Sequence, residues 1–174
     1  MGSYDFKKDV VCAWVRDCFT PQATVLDVGA CDGKWRDLLP EYKNMDAIEI
    51  FRPYAEKLTG YRSVITGDIF DYWFEWYDLI IFGDVIEHMS VEKAQAVLRY
   101  AKDRCFDLIV AVPYEYPQDE VDGNQWQKHL QPDLTPEIFA ERYPGLEVLV
   151  RDEAHKYCYY HKARKDDETP DGRL

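Results

Sequence analysis

Residues able to do chemistry gather in four short segments. In Val25-Leu26-Asp27-Val28-Gly29-Ala30-Cys31-Asp32-Gly33 an acid on an apolar run precedes two glycines four positions apart. Glycine at 29 and 33 lets the backbone turn tightly and approach a ligand, and the Asp27 carboxylate can order the loop's N–H groups or reach a ligand amine. Alone, the segment equally suits a strand-to-helix turn with no ligand. Glu49 lies 22 residues beyond Asp27 (49 − 27), where a carboxylate ending a second strand accepts hydrogen bonds from both hydroxyls of an adenosine ribose. Taken singly it is equally a surface acid. Asp68, in Gly67-Asp68-Ile69-Phe70, ends a third strand. There it can accept from an adenine amino group, with Ile69 or Phe70 covering the ring. Three acids at the ends of three successive strands match the rule that parallel sheets bind ligands at strand C-termini.

The fourth segment, Ile81-Phe82-Gly83-Asp84-Val85-Ile86-Glu87-His88, follows an apolar run and carries two acids and a histidine. With Tyr114 and His129, the residues Asp84, Glu87 and His88 are the candidate proton acceptors. His88 beside Glu87 can present a neutral imidazole to a pocket, or simply cap the next helix. His129, in a loop after the fifth strand, can orient an acceptor or stand in solvent. The pairs His88/His129 and His155/His161 lack metal-ligand spacing, so no metal is expected.

These residues need a scaffold, and the periodicities supply one. Phe6, Val10, Val11, Trp14, Val15 and Phe19 recur at helical spacing from Tyr4 to Phe19. Strands are expected at Thr24 to Val28, Asp46 to Ile50, Ser63 to Thr66, Leu79 to Phe82 and Asp107 to Val112. Helices are expected at Lys34 to Leu39, Pro53 to Leu58 and Val91 to Cys105, the last capped by Ser90. Thr135-Pro136-Glu137 opens a short helix, after which Leu146 to Val150 and Tyr157 to His161 alternate like the arms of a hairpin. The fold class is therefore α/β: a doubly wound, mostly parallel seven-stranded sheet with an antiparallel C-terminal hairpin and helices on both faces. One domain is expected over 1–164, with a disordered polar tail over 165–174. Pro113 to Asp133, rich in Tyr, Pro, Gln and Asp, reads as a loop covering the substrate. Its Tyr116 and Trp126, with Tyr114, can stack on a flat acceptor or merely cover the sheet edge.

Composition narrows the partners. A chain of 174 residues with 33 acidic and 21 basic side chains carries a formal charge of -12. That field repels phosphate backbones and anionic membranes, so nucleic acid is disfavoured as a partner. Five cysteines without a C-x-x-C pair suit reduced thiols, and no stretch resembles a signal or a membrane span. A cytoplasmic protein is expected, with oligomeric state open.

On these segments the chain resembles the class I S-adenosylmethionine (SAM) dependent methyltransferases, from about Tyr4 to Arg164. V-L-D-V-G-A-C-D-G-K-W is similar to the family's first motif, Glu49 to its ribose acid, Asp68 to its adenine contact, and the Asp84 to His88 segment to the stretch after its fourth strand. The resemblance implies SAM as cofactor, held by Asp27, Gly29, Ala30, Cys31, Gly33, Glu49, Ile50, Asp68, Ile69, Gly83 and Asp84, with His88, His129 and Asp84 serving catalysis. Cys31 replaces the loop's usual middle glycine, so its backbone must avoid positive φ or be strained. A rim of acids suits a sulfonium and an amine and opposes a pyrophosphate. A nicotinamide dehydrogenase is further disfavoured because G-x-G-x-x-G is missing. The implied reaction is methyl transfer to oxygen or nitrogen of a small molecule, such as a sugar or nucleotide-linked metabolite. No Asn/Asp-Pro-Pro-Tyr segment follows the fourth strand, which argues against base methylation. The alternatives are a non-catalytic SAM-binding partner subunit and a protein or tRNA methyltransferase.

Overall fold

Side-chain alternation along the strands decides the architecture. In the fourth strand, Leu79 and Ile81 pack with Val11 and Val15 on one side of the sheet, while Ile80 and Phe82 pack with Val97 and Leu98 on the other. All four strand residues are fully buried, each contributing roughly 1.5–3 kcal/mol relative to exposure. A strand buried on both faces needs helices above and below.

The computed structural model describes residues 5–163, so the tail expected over 165–174 and the start of the leading pattern at Tyr4 lie outside the described residues. In chain order the elements are α1 (Lys8–Cys18), β1 (Val25–Val28), α2 (Lys34–Leu38), β2 (Met45–Glu49), α3 (Arg52–Ala55), β3 (Ser63–Thr66), β4 (Tyr77–Gly83), α4 (Val91–Lys102), β5 (Cys105–Pro113), α5 (Pro136–Arg142), β6 (Leu146–Asp152) and β7 (Tyr157–Lys162). They form a seven-stranded sheet in the order β3-β2-β1-β4-β5-β7-β6. The first five strands are parallel; β7 runs antiparallel to β5 and to β6. Helices α1 and α2 cover one face, α4 and α5 the other. The strand order reverses between β1 and β4, and at such a switch point a crevice opens beyond the strand ends.

Element ends follow local chemistry. Ser90 caps α4 by accepting from the Lys93 N–H at 3.3 Å, and Thr135 caps α5 by accepting from the Ile138 N–H at 3.2 Å. Two expectations shift. Helix α4 stops at Lys102, because Cys105 already opens the buried strand β5. In α1 the inward stripe is Lys8, Val11, Cys12 and Val15, while Val10 is 43% exposed. Lys8 takes the place expected of an apolar residue by burying its stem and setting its ammonium over the Trp35 ring. Among the described residues no helix is long and apolar enough to cross a membrane.

Candidate active site

The crevice is a cavity of about 310 Å³. Its near wall is the turn from β1 into α2. Gly29 adopts φ +68° and donates its N–H to the Ile48 carbonyl at 2.8 Å. A Cβ there would sit 2.6 Å from Val85 Cγ2. Both the left-handed backbone and the contact demand glycine, so Gly29→Ala is expected to cost about 1–3 kcal/mol of stability. Thermal denaturation of the variant against the parent checks this, and an unchanged melting temperature refutes it. Cys31 is also left-handed, at φ +50°. Of the two alternatives that the sequence leaves open, the second holds: the chain keeps the glycine conformation and bears the strain of a side chain there. What holds it is Glu49, whose Oε2 accepts the Cys31 N–H at 2.9 Å while Oε1 accepts the Phe51 N–H at 2.7 Å.

Glu49 is 5% exposed and still lines the cavity. Burial pushes its pKa up, against the opposing pull of the Phe51, Cys31 and Ile50 N–H groups. A carboxylate offers about four lone-pair sites, so these groups do not use all of them. Ile50, Ala30 and Asp68 join it in the lining. Asp68 accepts the Phe70 N–H at 3.0 Å, which closes a single 3₁₀ turn and swings the Phe70 ring to the cavity.

Four of the expected site residues lie elsewhere. Asp27 does not line the cavity. It is 1% exposed and its Oδ2 accepts from the Tyr61 hydroxyl at 2.6 Å. Burial raises its pKa to about 7, with Glu49 adding to the rise and Tyr61 opposing it. Gly33 forms the start of α2 at φ +81°, outside the lining. Ile69 points into the core on the α4 side, so Phe70 alone of that pair faces the cavity. Tyr114 is also withdrawn, because its hydroxyl bonds Tyr160 in the core. It is removed from the candidate bases.

The far wall follows β4. Gly83 admits the Trp35 indole, whose Nε1 would lie 2.4 Å from a Cβ at that position. Asp84 turns the chain at φ +56° and accepts from the Tyr157 hydroxyl on β7. Beyond it stand Glu87, His88 and His129. The segment after β5 reaches them because the Glu87 carbonyl accepts the Leu130 and Gln131 N–H groups at 2.8 and 3.1 Å. The Gln131 side-chain amide then donates to the Ile86 and Met89 carbonyls at 2.8 and 3.2 Å. This clasp sets the rings of His88 and His129 edge to face, with centroids 4.6 Å apart.

Each of those rings has Nδ1 on a backbone carbonyl: His88 on Lys128 at 3.2 Å, His129 on Tyr116 at 2.6 Å. A carbonyl cannot donate, so Nδ1 carries the proton and a neutral ring keeps its lone pair on Nε2. Burial, with His129 adding, depresses the His88 pKa to about 4, and burial lowers that of His129. Both rings are neutral near pH 7. Glu87 is 1% exposed, and neither carboxylate oxygen has a hydrogen-bond partner among the described residues. Burial raises its pKa well above the usual range, with Asp84 adding to the rise. One ligand atom from each of Glu87, His88 and His129 lies within 4.8 Å of the others. Spacing along the chain does not reveal this, because the clasp through Gln131 closes the gap.

The cavity also takes in Trp35, Lys93, Gln118 and Asn124, which motif and spacing do not single out. Only Asn124 carried a local signal, its side chain capping the 3₁₀ turn Gln125–Gln127 by accepting the Trp126 N–H. Tyr116 and Trp126 are in the lining and 37% and 44% exposed.

The sheet order, the glycine turn and the acids at the ends of β2 and β3 thus meet at one crevice. Comparison with known proteins bears on the fold. No family model matches the chain. Over 92 residues it is 32% identical to O-methyltransferase SfmM3 of Streptomyces lavendulae, a match that covers 47% of this chain and only 28% of that protein's length. A SAM-dependent methyltransferase of Clostridium acetobutylicum superposes with a TM-score of 0.68 at 13% identity, covering 91% of each chain. Magnesium protoporphyrin IX methyltransferase of Synechocystis, solved with bound SAH, gives 0.63 at 15% identity, covering 95% of this chain and 90% of that one. At such identities the likeness is one of fold.

Proposed function

We propose that the chain binds SAM in this cavity and transfers its methyl group to an oxygen or nitrogen of a small molecule. The observation that carries the reading is Glu49: a buried carboxylate on the cavity wall, fixed by the Cys31 and Phe51 N–H groups and with acceptor capacity to spare. That capacity suits the two hydroxyls of a ribose. Asp68 and Phe70 offer an acceptor and a flat face for adenine, and Gly29, Ala30 and Cys31 allow close backbone approach. The rim acids Asp32, Glu49, Asp68 and Asp84 favour a cation. When bound, SAM supplies an electrophilic methyl on its sulfonium.

The protein's own contribution is to place an acceptor behind that methyl and manage its proton. Asp84, His88 and His129 stand at the acceptor end, and the two imidazoles offer an unprotonated Nε2. Tyr116 and Trp126 present ring faces from the segment after β5, which suits a flat or sugar-like acceptor. The O-methyltransferase relative favours oxygen.

Calorimetry with SAM, followed by incubation with methyl-labelled SAM and metabolite, protein and RNA pools, tests the reading. Saturable binding and a labelled small molecule are expected. Failure to bind SAM overturns it, and binding without any product makes the chain a SAM-binding subunit. Once an acceptor is known, His88→Ala and His129→Ala are each expected to lower kcat about 100-fold or more, with SAM affinity kept. Normal turnover in both would remove the acceptor-end assignment.

A further inference from the structure

We infer that Glu87, His88 and His129 form a binding site for a first-row divalent transition-metal cation at the acceptor end of the cavity. The inference rests on the acceptor end proposed above and changes the role of both histidines there: the imidazoles hold the ion instead of taking a proton themselves. Three independent observations converge on it.

The first is placement. The ligand atoms, one per residue, lie within 4.8 Å of one another, and all three residues line one cavity. Donors about 2.1 Å from a shared ion stand roughly 3 to 4 Å apart, so closing on it takes less than about 1 Å of side-chain movement. The second is Glu87 itself. A carboxylate 1% exposed whose two oxygens have no hydrogen-bond partner among the described residues is rare, because buried polar groups nearly always find a partner. A cation satisfies both oxygens at once. The third is the shell behind the imidazoles. Metal-bound histidines donate their other ring N–H to a carbonyl or carboxylate, which fixes the tautomer. His88 and His129 already do this toward Lys128 and Tyr116.

The donor set chooses the ion. Two imidazoles and one carboxylate suit Mn²⁺, Fe²⁺, Co²⁺, Ni²⁺ or Zn²⁺, whereas Mg²⁺ and Ca²⁺ prefer all-oxygen shells. Three protein ligands leave positions open, and these face the cavity where an acceptor oxygen would sit. Two of the ligands adjoin in sequence just after β4 and the third comes from the segment after β5, so the ion also ties that segment to the sheet.

The test uses the full chain stripped with a chelator. Co²⁺ titration followed by visible absorption is expected to show one equivalent bound, and metal analysis after gel filtration with Zn²⁺ to give the same stoichiometry. Glu87→Gln and His129→Gln should each weaken Co²⁺ by at least about tenfold, since loss of an outer-shell partner alone costs that much. His155→Gln, outside the cluster, should not. If the variants fold poorly, the parent chain still decides: Mn²⁺ should broaden the imidazole resonances of His88 and His129 before those of His155 and His161. Absence of saturable binding, or unchanged affinity in both variants, or broadening of other histidines first, overturns the site. SAM calorimetry on the same stripped chain separates the outcomes. A chain that binds SAM but not Co²⁺ sinks this inference alone, and one that binds Co²⁺ but not SAM sinks the proposed reaction alone.

Discussion

Replacing Glu49 by alanine is expected to weaken SAM binding by about 10- to 100-fold, or roughly 1–3 kcal/mol, the scale of a lost hydrogen bond to a charged group. Two effects combine. The direct one removes the acceptor sites facing the cavity. The indirect one frees the Cys31 N–H and the Phe51 N–H, both of which bond the carboxylate. The left-handed Cys31 then loses the partner that fixes it, and the turn relaxes away from the ligand. Glu49→Gln divides the two. It keeps one carbonyl acceptor but aims an NH₂ at a backbone donor, so it should lie between parent and alanine. Calorimetry on folded variants measures both, and parental affinity in Glu49→Ala would leave the ribose contact without support.

The second large effect concerns pH. Asp27 is ordinarily a group of pKa 3.8, and burial lifts it to about 7 in the folded chain. The unfolded chain releases this proton near pH 4 while the folded chain keeps it, so Asp27's contribution is full below about pH 4. It is lost as pH rises to 7. Above that window the folded protein holds a buried anion at a cost on the order of 4 kcal/mol. Asp27→Asn still accepts from the Tyr61 hydroxyl and never ionises. The variant is therefore expected to match the parent near pH 4 and exceed it by on the order of 4 kcal/mol at pH 8. Urea denaturation of both proteins at the two pH values tests this; parallel pH profiles would show that Asp27 ionises normally.

Much of this arrangement can be read from local pattern. The strands, the caps Ser90 and Thr135, the hairpin and the acids at strand ends all follow from signals a few residues wide. What escapes depends on partners distant in sequence. Asp27 is turned to Tyr61, 34 residues away, and nothing near Asp27 announces that phenol. Tyr114 looks like a cavity residue until β7 pairs with β5 and sets Tyr160 against its hydroxyl. The choice of Phe70 over Ile69 turns on one 3₁₀ step that Asp68 starts. The grouping of Glu87, His88 and His129 depends on the Gln131 amide reaching Ile86 and Met89, which no spacing rule encodes.

The place of β7 has a consequence for how the protein is made. Residues 157–162 form an interior strand, and Tyr157 within it bonds Asp84 across 73 positions. Domains fold largely as units during synthesis, yet here a slot between β5 and β6 stays open until β7 emerges from the ribosome. A nascent chain halted before residue 157 would display its helices and parallel strands without the tether from Tyr157 to the far wall of the cavity.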